Sequence, residues 1–179
     1  IVGHSFVKWA ERHASRKTCG KDLGMGNNGV SITWQGKGGM LWKELRMVLN
    51  KMIKGISCPD VLVLHLGEND LVREKGLAIL RAMKEDMKEI GRKWAGTFIM
   101  WCKWIPRRGW RRAVKPAAID KARRKVNGEM RGFCREGRIG MIVHPEITYD
   151  EPGLFREDGV HLSQVGMELY LMHIREAVA

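Results

Sequence analysis

Four short segments of this sequence carry side chains suited to acyl transfer. A serine stands in "VGHSFVKW" (residues 2–9), glycines in "GKGGM" (36–40), an asparagine in "GEND" (67–70), and an acid with a histidine in "DGVH" (158–161). Ester hydrolysis by serine needs a base for the hydroxyl proton, a group that orients the base, and N–H donors for the tetrahedral oxyanion. The four segments together supply each of these parts.

Three of these side chains have both a catalytic and a structural interpretation. Ser5 is either a nucleophile at a strand end or the N-cap of the first helix. Asp158 and His161 are three residues apart, so in a turn the carboxylate can reach Nδ1 while Nε2 faces Ser5. The structural alternative is helix capping, with Asp158 at a loop end and Ser163 near the start of the last helix. Because all four segments occur together and in one order, we expect Ser5, His161 and Asp158 to be catalytic.

The oxyanion donors are predicted from an asparagine and a glycine. Asn69 can offer its side-chain amide to an oxyanion, or it can form an Asx-turn after a strand. The glycine donor is one of Gly36, Gly38 and Gly39. We prefer Gly39 because it is closest to the following helix, where free backbone N–H groups point. The expected oxyanion hole is therefore Ser5, Gly39 and Asn69.

Apolar runs bounded by turn residues predict five buried strands separated by helical patterns. The predicted strands are Ile1–Val2, Val30–Trp34, Val61–Leu66, Thr97–Cys102 and Met141–Val143. The predicted helices are Phe6–Ser15, Leu41–Lys54, Leu77–Trp94, Pro116–Arg135 and Leu162–Val178. Runs that are apolar throughout indicate parallel strands covered on both faces. The sequence thus predicts one three-layer α/β domain over residues 1–179.

The predicted sheet explains how distant residues can form one site. In parallel sheets the working residues gather outside the carboxyl ends of the strands. Ser5 follows the first predicted strand, the glycines follow the second, "GEND" follows the third, and "DGVH" lies just before the last helix. We therefore expect all four segments to meet at one edge of the sheet.

The ordered set resembles the four sequence blocks of the SGNH (GDSL-type) hydrolases. Gly-x-Ser near the N-terminus, the glycine after the second strand, "GEND" as Gly-x-Asn-Asp and "DGVH" as Asp-x-x-His carry the resemblance, which spans Val2 to His161. It implies a flavodoxin-like α/β/α sandwich with strand order 2-1-3-4-5 and a serine esterase that hydrolyses a small ester without a cofactor. It also implies that Ser5 is the nucleophile and an N–H donor, that Asn69 donates its amide, and that Asp158 orients the base His161.

One residue departs from the family pattern, and a narrower likeness exists. The usual Gly-Asp-Ser is Gly-His-Ser here, so His4 replaces an acid that supports the nucleophile loop. The segments "WCKWIPRRGWRRA", "ARRKVN" and "DGVHLSQVGMELYL" resemble SGNH-type domains of vertebrate retroelement proteins. That likeness implies that the domain belongs to a longer polypeptide, as does the start at Ile1 without Met. The alternative function is a catalytically silent module that binds nucleic acid or protein in such a polypeptide.

Positive charge is concentrated in one segment. The net charge of the protein is +12. Residues 92–125 contain twelve Lys or Arg and a single acid, Asp120. One interpretation is a solvated helix face, with Lys121, Arg124 and Lys125 opposite an apolar stripe. The other is a nucleic-acid surface, because arginines and indoles suit phosphates and stacked bases. The predicted polyanion-binding residues are Arg107, Arg108, Trp110, Arg111 and Arg112.

Composition excludes several other classes. The four cysteines and six histidines lack the paired spacing of a zinc cluster, so no metal or cofactor is expected. No apolar run approaches the roughly 18 residues of a membrane span, and no signal peptide is visible. An intracellular location is therefore favoured, while the oligomeric state is left open.

Overall fold

The computed structural model describes residues 1–55, 57–110 and 113–179. Its strands are β1 (Val2–Gly3), β2 (Gln35–Gly36), β3 (Val61–His65), β4 (Phe98–Cys102) and β5 (Gly140–Ile142). Its α-helices are α1 (Ser5–Ala14), α2 (Leu45–Met52), α3 (Gly76–Lys93), α4 (Pro116–Gly137) and α5 (Gln164–Val178). No helix in these ranges is long and apolar enough to cross a membrane.

The five strands form one parallel sheet in the order β2-β1-β3-β4-β5. This order confirms the expected 2-1-3-4-5 topology. The strand order reverses at β1, between β2 and β3, and such a switch point opens a crevice at the carboxyl ends of the strands. Ser5 follows β1 directly, so the fold puts this serine at that crevice.

Successive side chains of β3 face two different buried layers, one on each side of the sheet. Leu62 and Leu64 pack into a cluster with α2, α3 and α4, whereas Val63 packs into a second cluster with α1 and α5. A central strand must be apolar on both faces to be buried this way, which is why its sequence does not alternate. The predicted three-layer arrangement is confirmed.

The second strand lies later in the sequence than predicted. Val30–Trp34 was expected, but Gln35–Gly36 pairs with β1 instead. Within 30–34, the Ile32 N–H donates to the Asp22 carboxylate at 2.6 Å, and the Trp34 indole donates to the Lys21 carbonyl at 3.0 Å. The apolar run is therefore held by its own preceding loop and packs into the α1–α5 layer rather than joining the sheet. The prediction mistook a buried extended loop for a strand.

Gly36 is required because α1 crosses directly over β2. A Cβ at position 36 would lie 2.3 Å from the Lys8 backbone N and 2.4 Å from its Cα. Such distances are far inside van der Waals contact, and both atoms belong to helix backbone that cannot rotate away. Gly38, two residues later, has open space where its Cβ would be.

We predict that Gly36→Ala lowers the free energy of unfolding by about 3 kcal/mol, the upper range for overpacking a buried site. Gly38→Ala is the matched control and should change it by less than about 0.5 kcal/mol. Urea unfolding of both variants measures the difference. Equal stability of the two would contradict the packing of α1 on β2.

Candidate active site

The predicted segments meet at one cleft of about 600 Å³ at the carboxyl ends of the strands. Ser5, Gly39, Asn69 and His161 all line it. These residues come from four separate stretches of chain, so the parallel sheet brings together what the sequence spreads over more than 150 residues. The expected convergence at one sheet edge is seen.

Ser5 is the first residue of α1, and its hydroxyl is not used for capping. The N-cap is His4, whose Nδ1 accepts a hydrogen bond from the Phe6 N–H at 3.3 Å. The capping interpretation of Ser5 is therefore wrong, because the preceding residue, His4, caps the helix. Within the described residues, the Ser5 hydroxyl has no hydrogen-bond partner, and it lines the cleft.

His161 is held by Asp158. Its Nδ1 lies 2.6 Å from Asp158 Oδ2, while Oδ1 accepts the backbone N–H groups of Val160 and His161, both at 2.9 Å. Burial alone would raise the pKa of Asp158, but these hydrogen bonds lower it to about 2. The carboxylate is thus ionised at neutral pH and fixes the ring with Nδ1–H toward itself, which leaves Nε2 as the free lone pair.

The capping alternative for Asp158 does not hold at α5. The N-cap of that helix is Ser163, whose hydroxyl accepts the Gly166 N–H at 3.2 Å. Asp158 instead organises its own turn, where Gly159 has a φ of +63° that favours glycine. The structure therefore assigns the two roles to different residues, and the predicted acid–histidine contact is present.

Asn69 is fixed by two hydrogen bonds that determine which way its amide points. Its Oδ1 accepts from Arg107 Nη1 at 3.2 Å, and its Nδ2 donates to the Met40 carbonyl at 3.1 Å. Because Nδ2 carries two hydrogens, one is left to donate elsewhere. These contacts set the orientation of the Asn69 amide.

The glycine loop is tied to the "GEND" segment by Asp70. Its Oδ2 accepts the Trp42 N–H at 3.0 Å. Burial raises the pKa of Asp70 to about 6 despite that hydrogen bond. Gly39 lines the cleft with a φ of +71°, which explains a glycine there, whereas Gly36 is inside β2. This placement excludes Gly36 as a candidate for the oxyanion donor. Gly39 and its neighbour Gly38 remain candidates, and Gly39 is still preferred.

Sequence analysis missed a buried carboxylate between two histidines beneath the site. Glu68 Oε2 lies 2.6 Å from His4 Nε2, and Oε1 lies 3.0 Å from His65 Nε2. All three side chains have no exposed surface. The departure from Gly-Asp-Ser at His4 was visible in the sequence, and the acid at the second position of "GEND" was the signal to look for.

The hydrogen bonds around this cluster fix its charges. Nδ1 of His4 accepts from a backbone N–H, and Nδ1 of His65 lies 2.7 Å from the Tyr170 hydroxyl. The His4 ring is therefore neutral and donates Nε2–H to an ionised Glu68, while His65 Nε2 contacts the other carboxylate oxygen. Burial above all lowers the pKa of His4 to about 4, while the two rings hold the pKa of Glu68 well below its usual range against the effect of burial.

Two groups of buried side chains have ligand atoms close enough to hold a metal. They are His4, His65 and Glu68, and His65, Cys102 and His144. In the first group each ring nitrogen and both carboxylate oxygens already have hydrogen-bond partners. In the second, burial raises the pKa of the Cys102 thiol, so this side chain is poorly suited to metal binding. The donor chemistry does not favour a metal at either place.

The predicted polyanion-binding residues are divided by the structure. Arg107 and Trp110 are buried, with 6% and 7% of their surface exposed, and both line the cleft. Arg108 is exposed, and its backbone N–H donates to the Gly159 carbonyl at 2.7 Å, which ties this loop to the "DGVH" turn. Arg111 and Arg112 lie outside the described residues. Nucleic-acid binding by this segment stays a prediction, although Trp110 has little surface for base stacking.

The chain was compared with known proteins by sequence and by structure. No protein-family model matches it, and no curated protein matches it in sequence. Solved structures do match over 98–99% of the chain. A GDSL-like lipase from Bacteroides thetaiotaomicron has a TM-score of 0.78 at 14% identity, with 85% of that chain covered.

Two further structures agree with this result. A family 3 carbohydrate esterase from Clostridium thermocellum has a TM-score of 0.71 at 17% identity, with 92% of that chain covered. A member of the lipolytic G-D-S-L family from Veillonella parvula has a TM-score of 0.72 at 15% identity, with 94% covered. The narrower likeness to retroelement domains stays a prediction. The chain thus has the α/β fold of the SGNH (GDSL-type) hydrolases.

Proposed function

We propose that this protein is a serine esterase of the SGNH type. The observation that carries the proposal is the cleft in which Ser5, Gly39, Asn69 and His161 meet while Asp158 holds the His161 ring at 2.6 Å. Each residue that is given a role in this proposal lines the cleft or contacts a residue that does. The esterases and lipases of the same fold are consistent with hydrolysis in general.

In the first half of the reaction, Ser5 Oγ attacks the ester carbonyl carbon as His161 Nε2 takes its proton. The imidazolium that forms is stabilised by the Asp158 carboxylate. Collapse of the tetrahedral intermediate breaks the bond to the alcohol, which leaves with the proton from His161. In the second half, water attacks the acyl-serine with His161 as base, and the acid is released as Ser5 regains its proton.

The oxyanion is stabilised by preorganised N–H groups. The Ser5 N–H at the first turn of α1, the Gly39 N–H and Asn69 Nδ2 are the proposed donors. The start of α1 adds partial positive charge at the same place. Because Arg107 and Met40 fix the Asn69 amide before substrate arrives, little reorganisation is needed in the transition state.

Ser5→Ala removes the nucleophile and should abolish nearly all hydrolysis of short-chain aryl esters. Initial rates with para-nitrophenyl acetate, measured by release of the phenol, test this. Ser15→Ala is the control, since Ser15 is an exposed serine at the far end of α1 and should retain wild-type turnover. Unchanged turnover in Ser5→Ala would overturn the proposal.

Asn69→Ala should lower kcat by about 10²-fold or more, the usual loss for one oxyanion donor. The variant should still fold, because Asn69 is only half-buried, although Arg107 Nη1 loses its acceptor at a cost of about 1–3 kcal/mol. A thermal melt beside the kinetics separates the two effects. A variant that melts early but keeps its specific activity would show that Asn69 is structural.

Asp158→Asn should lower kcat by about 10³- to 10⁴-fold, since the amide no longer fixes the His161 tautomer or supports its charge. The same variant has a stability signature. The pKa of about 2 in the folded state lies below the ordinary value, so ionised Asp158 stabilises the fold above about pH 4 and this contribution disappears as the pH falls through 2. Urea unfolding at pH 7 and near pH 2 should show wild type and variant converging at the lower pH. A constant difference would contradict this assignment.

A further inference from the structure

The walls of the cleft carry three cations and no carboxylate among the described lining residues. Lys8 is half-buried, Arg73 is exposed and Arg107 is buried. None of the three has an acidic side chain within salt-bridge distance in the described parts of the chain. Many surface cations of this protein also lack an acidic partner among the described residues, so what distinguishes the cleft is that three cations line one cavity with no carboxylate beside them.

Arg107 differs from the other two cations because its guanidinium is buried and incompletely hydrogen-bonded. Its Nε is buried and has no acceptor among the described residues, and its Nη1 donates to Asn69. Its guanidinium stacks 4.9 Å above the Trp110 ring. An arginine that has left water and keeps an unsatisfied donor is costly, so a missing acceptor is expected to come from elsewhere.

The buried Glu68 does not supply that acceptor. Both of its oxygens accept from histidines, and its charge acts on Arg107 only through space. Glu68 beneath the cleft and the ionised Asp158 behind His161 each contribute one negative charge, against three positive charges on the walls. The cleft retains an excess of positive charge and an open set of guanidinium donors.

From this arrangement we infer that the cleft selects esters that carry a negative charge near the scissile bond, a carboxylate or a phosphate, with Arg107 as the principal contact. The inference rests on the proposed esterase function and names its substrate class. Arg107 is one hydrogen bond from Asn69, so an anion bound to it would sit beside the oxyanion hole. The half-buried Trp9, Leu41 and Val72 provide apolar contact for the remaining acyl or alcohol carbon.

The test compares three acetyl esters of matched shape: para-acetoxybenzoate, para-acetoxyphenyl phosphate and the neutral para-acetoxybenzamide. Each kcat/KM is divided by the spontaneous hydrolysis rate of the same ester. We expect the normalised kcat/KM of the wild type to be about tenfold higher for at least one anionic ester than for the neutral one, because one hydrogen bond to a charged group changes affinity by about that factor. Added salt should reduce the preference, and the two anionic arms show whether carboxylate or phosphate fits better.

In Arg107→Met the ratio of normalised kcat/KM for the anionic and neutral esters should fall to about 1, so that the preference is lost. Arg107→Lys should retain most of the preference. Loss of the hydrogen bond to Asn69 affects all three esters alike, so the ratio isolates the charge. If Arg107→Met does not fold, the double variant Lys8→Gln, Arg73→Gln tests the rim and should lower the preference about threefold. Arg81→Gln removes an exposed charge from α3 outside the cleft and should leave the ratio unchanged.

Binding to Ser5→Ala separates this inference from the proposed function. Calorimetry with para-acetoxybenzoate, para-acetoxyphenyl phosphate and para-acetoxybenzamide needs no turnover, and an anionic ester should bind about tenfold more tightly than the amide. Equal hydrolysis of all three esters by wild type, or an unchanged ratio in Arg107→Met, would show that Arg107 only positions Asn69. Selective binding without any wild-type hydrolysis would instead overturn the esterase and leave an anion-binding cleft.

Discussion

The arrangement of the site depends on the buried carboxylate of Glu68. It joins the end of β1, through His4, to β3, through His65, and itself belongs to "GEND", so Ser5 and Asn69 each stand next to a residue of this cluster. An ionised carboxylate out of water is destabilising by several kcal/mol unless it is paired and hydrogen-bonded. Two imidazole donors satisfy its oxygens, and Arg107 balances its charge through space. The cluster therefore stays fixed only while all its members are present.

The cluster contains the residue at which this sequence departs from the Gly-Asp-Ser pattern. That pattern has an acid before the serine, whereas this chain has His4 before Ser5 and an acid at the second position of "GEND". His4 then has three functions at once, since it caps α1, contacts Glu68 and leaves the Ser5 hydroxyl unengaged. His4 and Glu68 thus connect two separate segments of the chain beneath the start of α1.

Much of the fold and most of the site could be predicted from local patterns. Four strands, the helix sequence and the sheet order follow from apolar runs, helical stripes and the resemblance, and the convergence of Ser5, Asn69 and His161 follows from the rule for parallel sheets. The second strand could not, because Ile32 and Trp34 are apolar like a strand but are hydrogen-bonded by the preceding loop. The Glu68 cluster could not either, since its contacts join residues 64 apart whose geometry exists only after the sheet forms.

The basic segment shows why charge along a sequence does not translate directly into a surface. In α4, Lys121, Arg124 and Lys125 are exposed opposite the buried Val126 and Met130, as the helical stripe predicts. Arg123, between them, is buried and paired with Asp120 at 2.8 Å. Arg107 enters the cleft and Arg108 anchors the "DGVH" turn through its backbone. Cations that form one run in sequence therefore solvate a helix, pair with a buried acid and line the cleft.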